Sequence, residues 1–239
     1  MWCNNETGVI EPIEQVSALC QEHDVLLHSD GTQWVAKMPV DVQQVRIDYL
    51  TFASHKFHGP KGIGALYTRQ GVSVSPLVLG GPQERKRRGG TENVPSIVGF
   101  GIAAKVASTW LTKKNIDSMI QLRNDFETRL KERIPQIIIN SSGAPRAWTT
   151  SSIAFPDIKG ELLLLMLSER GVYASSGSAC SSGAFKESVV IAALGERDGD
   201  WGTVRFSIAR TTTKEELTCA VEVIFEVFQK ALKVMTSTV

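Results

Sequence analysis

The sequence lacks the features that mark several large protein classes. Its longest apolar runs are six residues, as in Leu162 to Leu167, whereas a membrane-spanning helix needs about 20. The net charge is only +1, and a nucleic-acid binder needs a basic excess to contact phosphates. The first residues carry neither a basic region nor an apolar core, so we expect no signal peptide. These absences predict a cytoplasmic protein without nucleic-acid or membrane partners.

Cysteine is scarce as well, and its spacing excludes further classes. The four cysteines are Cys3, Cys20, Cys180 and Cys219. They form no Cys-x-x-Cys pair, so neither a disulfide framework nor a structural zinc site is indicated. His55 and His58 have no third ligand nearby in the sequence, and we predict no metal site. This usage of cysteine fits a reducing compartment.

The composition that remains is that of an ordinary globular protein, with 42% hydrophobic and 21% charged residues in a chain of 239. In the first part, a helical pattern at 12–23 is followed by β-prone runs at 25–30, 48–53 and 62–67. Such alternation predicts an α/β domain with a mainly parallel sheet. We place this domain at 1–110.

The pattern changes in the second part of the chain. Long helical patterns surround three short β-prone runs at 137–140, 151–155 and 204–208. This arrangement is typical of antiparallel strands with helices on one side. We therefore place a second, α+β domain at 111–239.

Two chemically active side chains stand at predicted strand ends. Asp30 would be costly to bury without a cation or donors, and a protonated pyridine nitrogen would serve, although a capping role is the ordinary alternative. Lys56 at the mouth of a strand would be poorly hydrated, which lowers the pKa of an amine as a Schiff-base lysine requires. The alternative is a solvated surface lysine. Because ligands collect at the carboxyl ends of parallel strands, the coincidence favours a functional site.

Two further candidates lie in the second part of the chain. Residues 174–184 are all Ala, Ser or Gly except Cys180, which predicts a flexible loop with a reactive thiol rather than a buried, inert one. Arg205 alternates with apolar residues in a strand and requires a carboxylate, either of a substrate or of a structural Asp or Glu.

Two polar segments of the first part have ordinary alternatives as well. Asn4 to Gly8 reads best as an Asx-type turn. The basic run Arg85 to Arg88 is either solvated or faces a phosphate or a partner, and the glycines around it favour the second reading.

Six motifs, in this order, resemble the pyridoxal-phosphate-dependent cysteine desulfurases of the class-V aminotransferase family. They are Asn-Asn-Glu-Thr-Gly, Ser-Asp-Gly-Thr-Gln, Ser-His-Lys-Phe-His-Gly-Pro-Lys-Gly, Gly-Gly-x-Gln-Glu-Arg-x-x-Arg-x-Gly-Thr-x-Asn, Ser-Ser-Gly-Ser-Ala-Cys and Val-Arg-Phe-Ser. The resemblance implies the aspartate aminotransferase fold (fold type I): part of the large, cofactor-binding domain and the small C-terminal domain. It also implies pyridoxal 5'-phosphate as cofactor and L-cysteine as substrate, with sulfur passed on for iron–sulfur cluster assembly or other transfer.

The resemblance also implies roles for the residues of the first part. Lys56 would bind the cofactor as a Schiff base and later move the Cα proton, and Asp30 would pair with the pyridinium nitrogen. Gln33 would hydrogen-bond the phenolic oxygen of the ring. Asn5 would contact the same side of the cofactor or the substrate, and His55 would bind the phosphate.

Four further residues complete the implied site. Thr91 would reach the phosphate of the partner subunit in a homodimer, and Arg205 would hold the substrate carboxylate. Cys180 would attack the substrate sulfur, leaving alanine and a persulfide for an iron–sulfur scaffold or another acceptor protein, and it could transiently ligate a cluster. Ser54 is the remaining candidate for the cofactor phosphate. Family members often carry Ser-Gly-His-Lys or Ser-Ala-His-Lys, so the serine hydroxyl is missing here or displaced by one residue.

Family members also carry a further large segment before the Asn-Asn-Glu motif. By this comparison the chain resembles the C-terminal portion of such an enzyme, and we expect it to be a poor desulfurase by itself. Two alternatives stay open: another class-V enzyme, such as a selenocysteine lyase or a small-amino-acid aminotransferase, and a non-catalytic fragment. Cys180 argues against the aminotransferase, which needs no thiol.

Overall fold

The computed structural model describes residues 1–177, 188–195 and 199–236. The chain divides into two compact units. Unit 1 consists of residues 1–3 and 11–113, and unit 2 consists of residues 4–10 and 114–239.

Unit 1 carries a three-stranded sheet with helices. Its elements are α1 (Ile13–Glu22), β1 (His28–Asp30), β2 (Tyr49–Ala53), a 3-10 turn (Ser54–Phe57), β3 (Gly64–Thr68), a four-residue turn α2 (Gln83–Lys86) and α3 (Val94–Trp110). β1 pairs with β2 in parallel, and β3 pairs with the other edge of β2 in the antiparallel sense. The α/β class is therefore confirmed, with a mixed sheet, because the link from β2 to β3 is too short for a parallel crossover.

The core of unit 1 forms where the sheet meets α1 and the loop after β1. Ile47 and Leu50 are almost completely buried, and Ile13 of α1 packs into the same cluster. The rings of Trp2 and Trp34 stack with their centroids 5.1 Å apart and their planes at 4°. This stack holds the loop after β1 against the core.

Unit 2 is built on an antiparallel sheet, as the sequence predicted. Its elements are α4 (Lys113–Arg133), β4 (Ile138–Ile139), β5 (Thr150–Pro156), α5 (Gly160–Glu169), α6 (Val189–Ala192), β6 (Trp201–Ser207) and α7 (Lys214–Thr236). The strand order is β4-β5-β6. β5 is buried along nearly its whole length, and α4, α5 and α7 supply most of the apolar side chains of the core around it.

A buried charge network lies beside this core. Both Nη atoms of Arg146 donate to the Glu127 carboxylate, at 2.7 and 2.8 Å, and Ser151 Oγ donates to the same group at 2.8 Å. Arg123 Nη1 donates to the carbonyl oxygens of Arg146 and Ala147 at 3.0 and 2.7 Å. Burial, with a smaller contribution from the positive Arg146, lowers the pKa of the Arg123 guanidinium.

The network supports the segment that carries the Asn-Asn-Glu motif. Val9 pairs with Arg146 as an isolated antiparallel bridge. On either side, Ile10 N donates to Pro145 O at 2.9 Å, and Ala147 N donates to Gly8 O at 2.8 Å. Residues 8–10 are thus tied by main-chain hydrogen bonds to the segment that carries Arg146, a member of the charged pair.

Within the part of the chain that the structure describes, no single helix has the length and apolar character needed to cross a membrane. The consecutive helices α3 and α4 pass that test only as a bent pair, and only by length and composition.

We expect Glu127→Gln to destabilise unit 2 by about 3–5 kcal/mol, because it leaves the Arg146 guanidinium buried without its counter-charge. Denaturant unfolding of the purified protein measures the change. Glu226→Gln is the matched control, since Glu226 pairs with Arg170 at 2.8 Å with both side chains more than half exposed, and such pairs contribute about 0–1 kcal/mol. An equal loss of unfolding free energy in the two variants would contradict the view that the buried Glu127–Arg146 pair matters more for stability than the exposed Arg170–Glu226 pair.

Candidate active site

Asp30 ends β1 and is exposed. Its Oδ1 accepts a hydrogen bond from Thr32 N at 2.8 Å, and its own carbonyl oxygen accepts one from Trp2 N at 2.8 Å. The carboxylate is not buried, because the alternation of β1 turns Ser29 inward and both of its neighbours outward. The carboxylate therefore caps the following turn and still faces solvent.

Lys56 lies on the 3-10 turn that follows β2. The turn directs Ser54 and Phe57 inward, whereas His55 and Lys56 are exposed. His58 takes a left-handed φ of 72° after the turn, and its N–H bonds the Ser54 carbonyl. The expected desolvation of the Lys56 amine is therefore not observed, because the turn lifts this residue off the edge of the sheet.

The structure brings Asp30 and the Lys56 turn to one edge of the sheet. β1 and β2 are parallel neighbours, with Asp30 opposite Thr51 in register. β2 ends two residues after Thr51, and the 3-10 turn begins at once. The carboxylate and the turn that carries the amine thus share the carboxyl edge, where ligands of α/β sheets bind.

Ser54 stands at the base of the same turn. Its hydroxyl is fully buried, and Oγ has no hydrogen-bond partner in the described part of the chain. A Cβ built on Gly59 would lie 1.9 Å from Ser54 Oγ. Only glycine therefore fits at position 59 beside this serine, which explains the Gly-Pro sequence after the His-Lys pair.

Gln33 lies in the turn after β1 and is half-buried. Its Oε1 accepts a hydrogen bond from Lys37 Nζ at 2.6 Å. Sequence reasoning missed Lys37, although the four-residue spacing from Gln33 was a usable signal, since residues four apart on a helical turn face each other.

Thr91 is exposed in the long loop that precedes α3. In this loop, Gly89 N donates to Val78 O at 2.8 Å, and a Cβ on Gly89 would lie 2.8 Å from the Leu79 carbonyl oxygen. Gly89 therefore lies against the backbone of its own loop, and the phosphate- or partner-facing role of the basic run stays a prediction. The guanidinium of Arg87 donates to Thr68 Oγ1 at 3.1 Å.

Asn5 and Arg205 belong to unit 2, and the structure places them in contact. Arg205 Nη1 donates to the carbonyl oxygens of Asn5 and Gly177, at 2.7 and 3.1 Å. The main chain of Arg205 also pairs with Ser175. Asn4 Oδ1 accepts from Glu6 N and Thr7 N, so the predicted Asx-type turn is confirmed.

Glu6 is a second residue that sequence reasoning missed. It is 7% exposed. Its Oε2 accepts a hydrogen bond from Ser188 Oγ at 2.5 Å, and a Cβ built on Gly177 would lie 2.8 Å from the same oxygen. Gly177 has a φ of +87°, so glycine is favoured there on both counts.

The candidate nucleophile Cys180 lies outside the described residues. Among those described, Cys3 is buried, Cys20 is half-buried and Cys219 is exposed. Burial raises the pKa of the Cys3 thiol from 9.0 to about 11, while nearby Lys37 lowers it and Glu11 raises it by smaller amounts. Cys3 is therefore a poor nucleophile at neutral pH, since the thiolate is the reactive form.

No cluster of three or more His, Cys, Asp or Glu side chains suited to a metal ion occurs in residues 1–177, 188–195 or 199–236. Position 180 falls in the gap between these ranges, so its suggested transient ligation of a cluster stays a prediction.

We expect the Cys3 thiol to resist iodoacetamide at pH 8, because a pKa of about 11 leaves about 100-fold less thiolate than the ordinary value. The exposed Cys219 is the internal reference, and mass spectrometry of tryptic peptides reports both. In the unfolded chain Cys3 loses its proton first, so this group lowers the free energy of unfolding as the pH rises from 9 through 11. Labelling of Cys3 as fast as Cys219 at pH 8 would contradict the raised pKa.

Comparison with known proteins identifies the family. The model of the class-V aminotransferases matches residues 1–219. A cysteine desulfurase from Klebsiella pneumoniae is 45% identical over 218 residues, which are 91% of this chain and 54% of that protein. The cysteine desulfurase IscS of Methanosarcina thermophila is 40% identical over 231 residues, which are 96% of this chain and 57% of that protein.

The three-dimensional comparison gives the same result. The structure of a NifS-like protein from Rickettsia africae ESF-5 superposes with a TM-score of 0.85 at 26% identity, covering 95% of this chain and 60% of that one. The expected fold is therefore confirmed. The chain spans about half the length of the curated relatives that it matches. With the motifs, the sheet and the family model in agreement, the chain belongs to the class-V aminotransferase family.

Proposed function

We propose that this chain is part of a pyridoxal-phosphate-dependent cysteine desulfurase, which takes sulfur from L-cysteine and gives L-alanine and a persulfide on Cys180. The observation that carries the proposal is the parallel pairing of β1 with β2, which puts the Asp30 carboxylate and the Lys56 turn on one edge. The similarity to cysteine desulfurases along most of the chain supports the choice of reaction.

The side chains of unit 1 fit pyridoxal phosphate. Asp30 keeps an exposed carboxylate at the sheet edge, suited to a protonated ring nitrogen. Within the described chain the exposed Lys56 amine has no hydrogen bond or ion pair, so it is accessible to the aldehyde of the cofactor. Gln33 would donate to the ring oxygen.

The phosphate of the cofactor has two exposed candidates in unit 1. His55 lies directly beside Lys56 on the turn, and Thr91 lies in the loop before α3. We assign His55 to the phosphate of its own subunit and Thr91 to that of the partner in a homodimer. Ser54 was the third candidate, but its hydroxyl is fully buried against Gly59 and would reach a phosphate only if the turn moved.

When bound, the cofactor supplies an electron sink that stabilises negative charge at the Cα atom of the substrate. Lys56 would hold the cofactor covalently through its amine, and after the substrate displaces it, the same amine would take the Cα proton and return a proton to the product. The negative charge of Asp30 would keep the ring nitrogen protonated, which preserves the electron sink.

The second set of roles belongs to unit 2. Arg205 would hold the substrate carboxylate, oriented by the two bonds from its Nη1 to the carbonyls of Asn5 and Gly177. Asn5 would contact the cofactor or the substrate from the same turn. The Cys180 thiolate would attack the sulfur of the bound cysteine, so that an S–S bond forms while the Cβ–S bond breaks with its electron pair left on carbon. Protonation of that carbon gives alanine.

The persulfide must then leave the enzyme. We propose a sulfur-acceptor protein, such as an iron–sulfur scaffold, as the partner, with a homodimer as the working form and the cytoplasm as the location. The family resemblance supports the acceptor protein and the homodimer, and the usage of cysteine fits a reducing compartment such as the cytoplasm.

Lys56→Ala should abolish the covalent attachment of the cofactor and lower kcat by about 10²–10⁴, because a positioned general acid–base is lost. Borohydride reduction of the protein loaded with pyridoxal phosphate, followed by peptide mapping, locates the attachment. Lys61→Ala removes an exposed lysine five residues away and should change neither property. Finding the reduced cofactor on Lys61 would refute the assignment.

Cys180→Ser should keep the bound cofactor and its visible spectrum but lose persulfide formation from cysteine, because a hydroxyl cannot replace a thiolate as the sulfur acceptor. Cyanolysis of the persulfide, with alanine measured in parallel, gives the readout. Cys219→Ser is the matched control, since Cys219 is an exposed thiol of the same unit. Persulfide formation near the wild-type rate in Cys180→Ser would assign the nucleophile to another cysteine.

A further inference from the structure

The side-chain amide of Gln33 is held by a buried lysine. Lys37 Nζ donates to Gln33 Oε1 at 2.6 Å and to the Thr32 carbonyl oxygen at 3.4 Å. Lys37 is only 9% exposed, so water competes little for these bonds, and a short bond from a buried amine holds its acceptor firmly.

The chemistry of lysine settles which end of the amide faces it. The two ends of a glutamine amide have almost the same shape, and their identity follows from the groups that they contact. A lysine ammonium has donors and no acceptor. The end of Gln33 at Lys37 must therefore be the oxygen, and Nε2, a donor, is the end left for another partner.

The turn that carries both residues is well supported. Gly31 O accepts hydrogen bonds from Trp34 N and Val35 N, at 2.9 and 2.8 Å. Trp34 stacks on Trp2, and its Nε1 donates to Pro39 O at 3.0 Å. The distance between Gln33 and Lys37 is thus set by the backbone and not only by their own contact.

We propose that Lys37 is a positioning residue, which orients the Gln33 amide so that Nε2 donates to the anionic ring oxygen of pyridoxal phosphate. The inference rests on the proposed function for its ligand. Without Lys37 the amide could rotate and turn its oxygen toward the anion, which would exchange an attraction for a repulsion.

The test compares Lys37→Met, which keeps the length of the side chain but removes the donor, with Lys37→Arg, which keeps a donor. We expect Lys37→Met to bind pyridoxal phosphate about tenfold more weakly, as for one hydrogen bond to a charged group. The pH midpoint of the visible absorbance of the bound cofactor should rise, because the lost donor stabilised the ring anion. Lys37→Arg should keep the affinity for pyridoxal phosphate and the pH midpoint close to those of the wild type. Lys105→Met, at an exposed position of α3, should change neither quantity.

A double-mutant cycle tests whether Lys37 acts through Gln33. Gln33→Ala should give the same two changes, and Lys37→Met combined with Gln33→Ala should be no worse than Gln33→Ala alone, because the two residues serve one contact. Losses that add would overturn the proposal, as would an unchanged dissociation constant and midpoint in Lys37→Met.

A measurement without cofactor separates this inference from the proposed function. The side-chain amide signals of Gln33 in a ¹⁵N–¹H NMR spectrum should shift in Lys37→Met and stay in place in Lys105→Met, with unchanged circular dichroism in both. Unshifted Gln33 signals would refute the Lys37 inference by themselves. A wild-type protein that binds no pyridoxal phosphate would instead refute the proposed function.

Discussion

The parallel pairing of β1 with β2 is the constraint on which the candidate cofactor site depends. β1 has only three residues, so its register with β2 is fixed largely by what lies beside it. Ser29 and Leu50 are paired and buried, and Gly31 follows so closely over Leu50 that a Cβ there would lie 2.8 Å from Leu50 Cδ1. A slip of one residue would bury Asp30 and expose Ser29. The packing around Leu50 therefore determines that the Asp30 carboxylate lies on the exposed face of the sheet.

The sequence predicted the elements of this region better than the environment of its side chains. The apolar runs predicted β1 and β2, and the polar residues that follow each run indicated Asp30 and Lys56 as site candidates. Their exposure could not be predicted, because a residue at a strand end faces either side according to the pleat and to the turn that follows. The four-residue spacing of Gln33 and Lys37 is a signal of a contact, but it does not establish the bond, since a lysine four residues after a glutamine is equally compatible with a solvated pair.

In unit 2, the sequence showed the order of the motifs, but it did not show why the motifs that carry Asn5 and Arg205 lie close together in the fold. Arg205 and Asn5 are 200 positions apart, and no local pattern joins them. The connection runs through the buried Glu127–Arg146 pair, because the segment around Arg146 holds residues 8–10 by main-chain bonds. A charge in a predicted helix and one in a predicted loop give no sign of such a pair. Arg123 of α4 donates to the same segment.

The two units place different demands on their buried charges. In unit 2 the Glu127 carboxylate is fully engaged by a bidentate guanidinium and a hydroxyl, so the network satisfies itself and serves the fold. In unit 1 the buried Lys37 amine donates to the oxygen end of the Gln33 amide. The bond therefore fixes the direction in which the other end of the amide, the donor Nε2, points. The bond from Lys37 to the Gln33 amide, at 2.6 Å, is shorter than its bond to the Thr32 carbonyl oxygen, at 3.4 Å, and the amide acceptor is what gives the lysine a consequence for ligand binding.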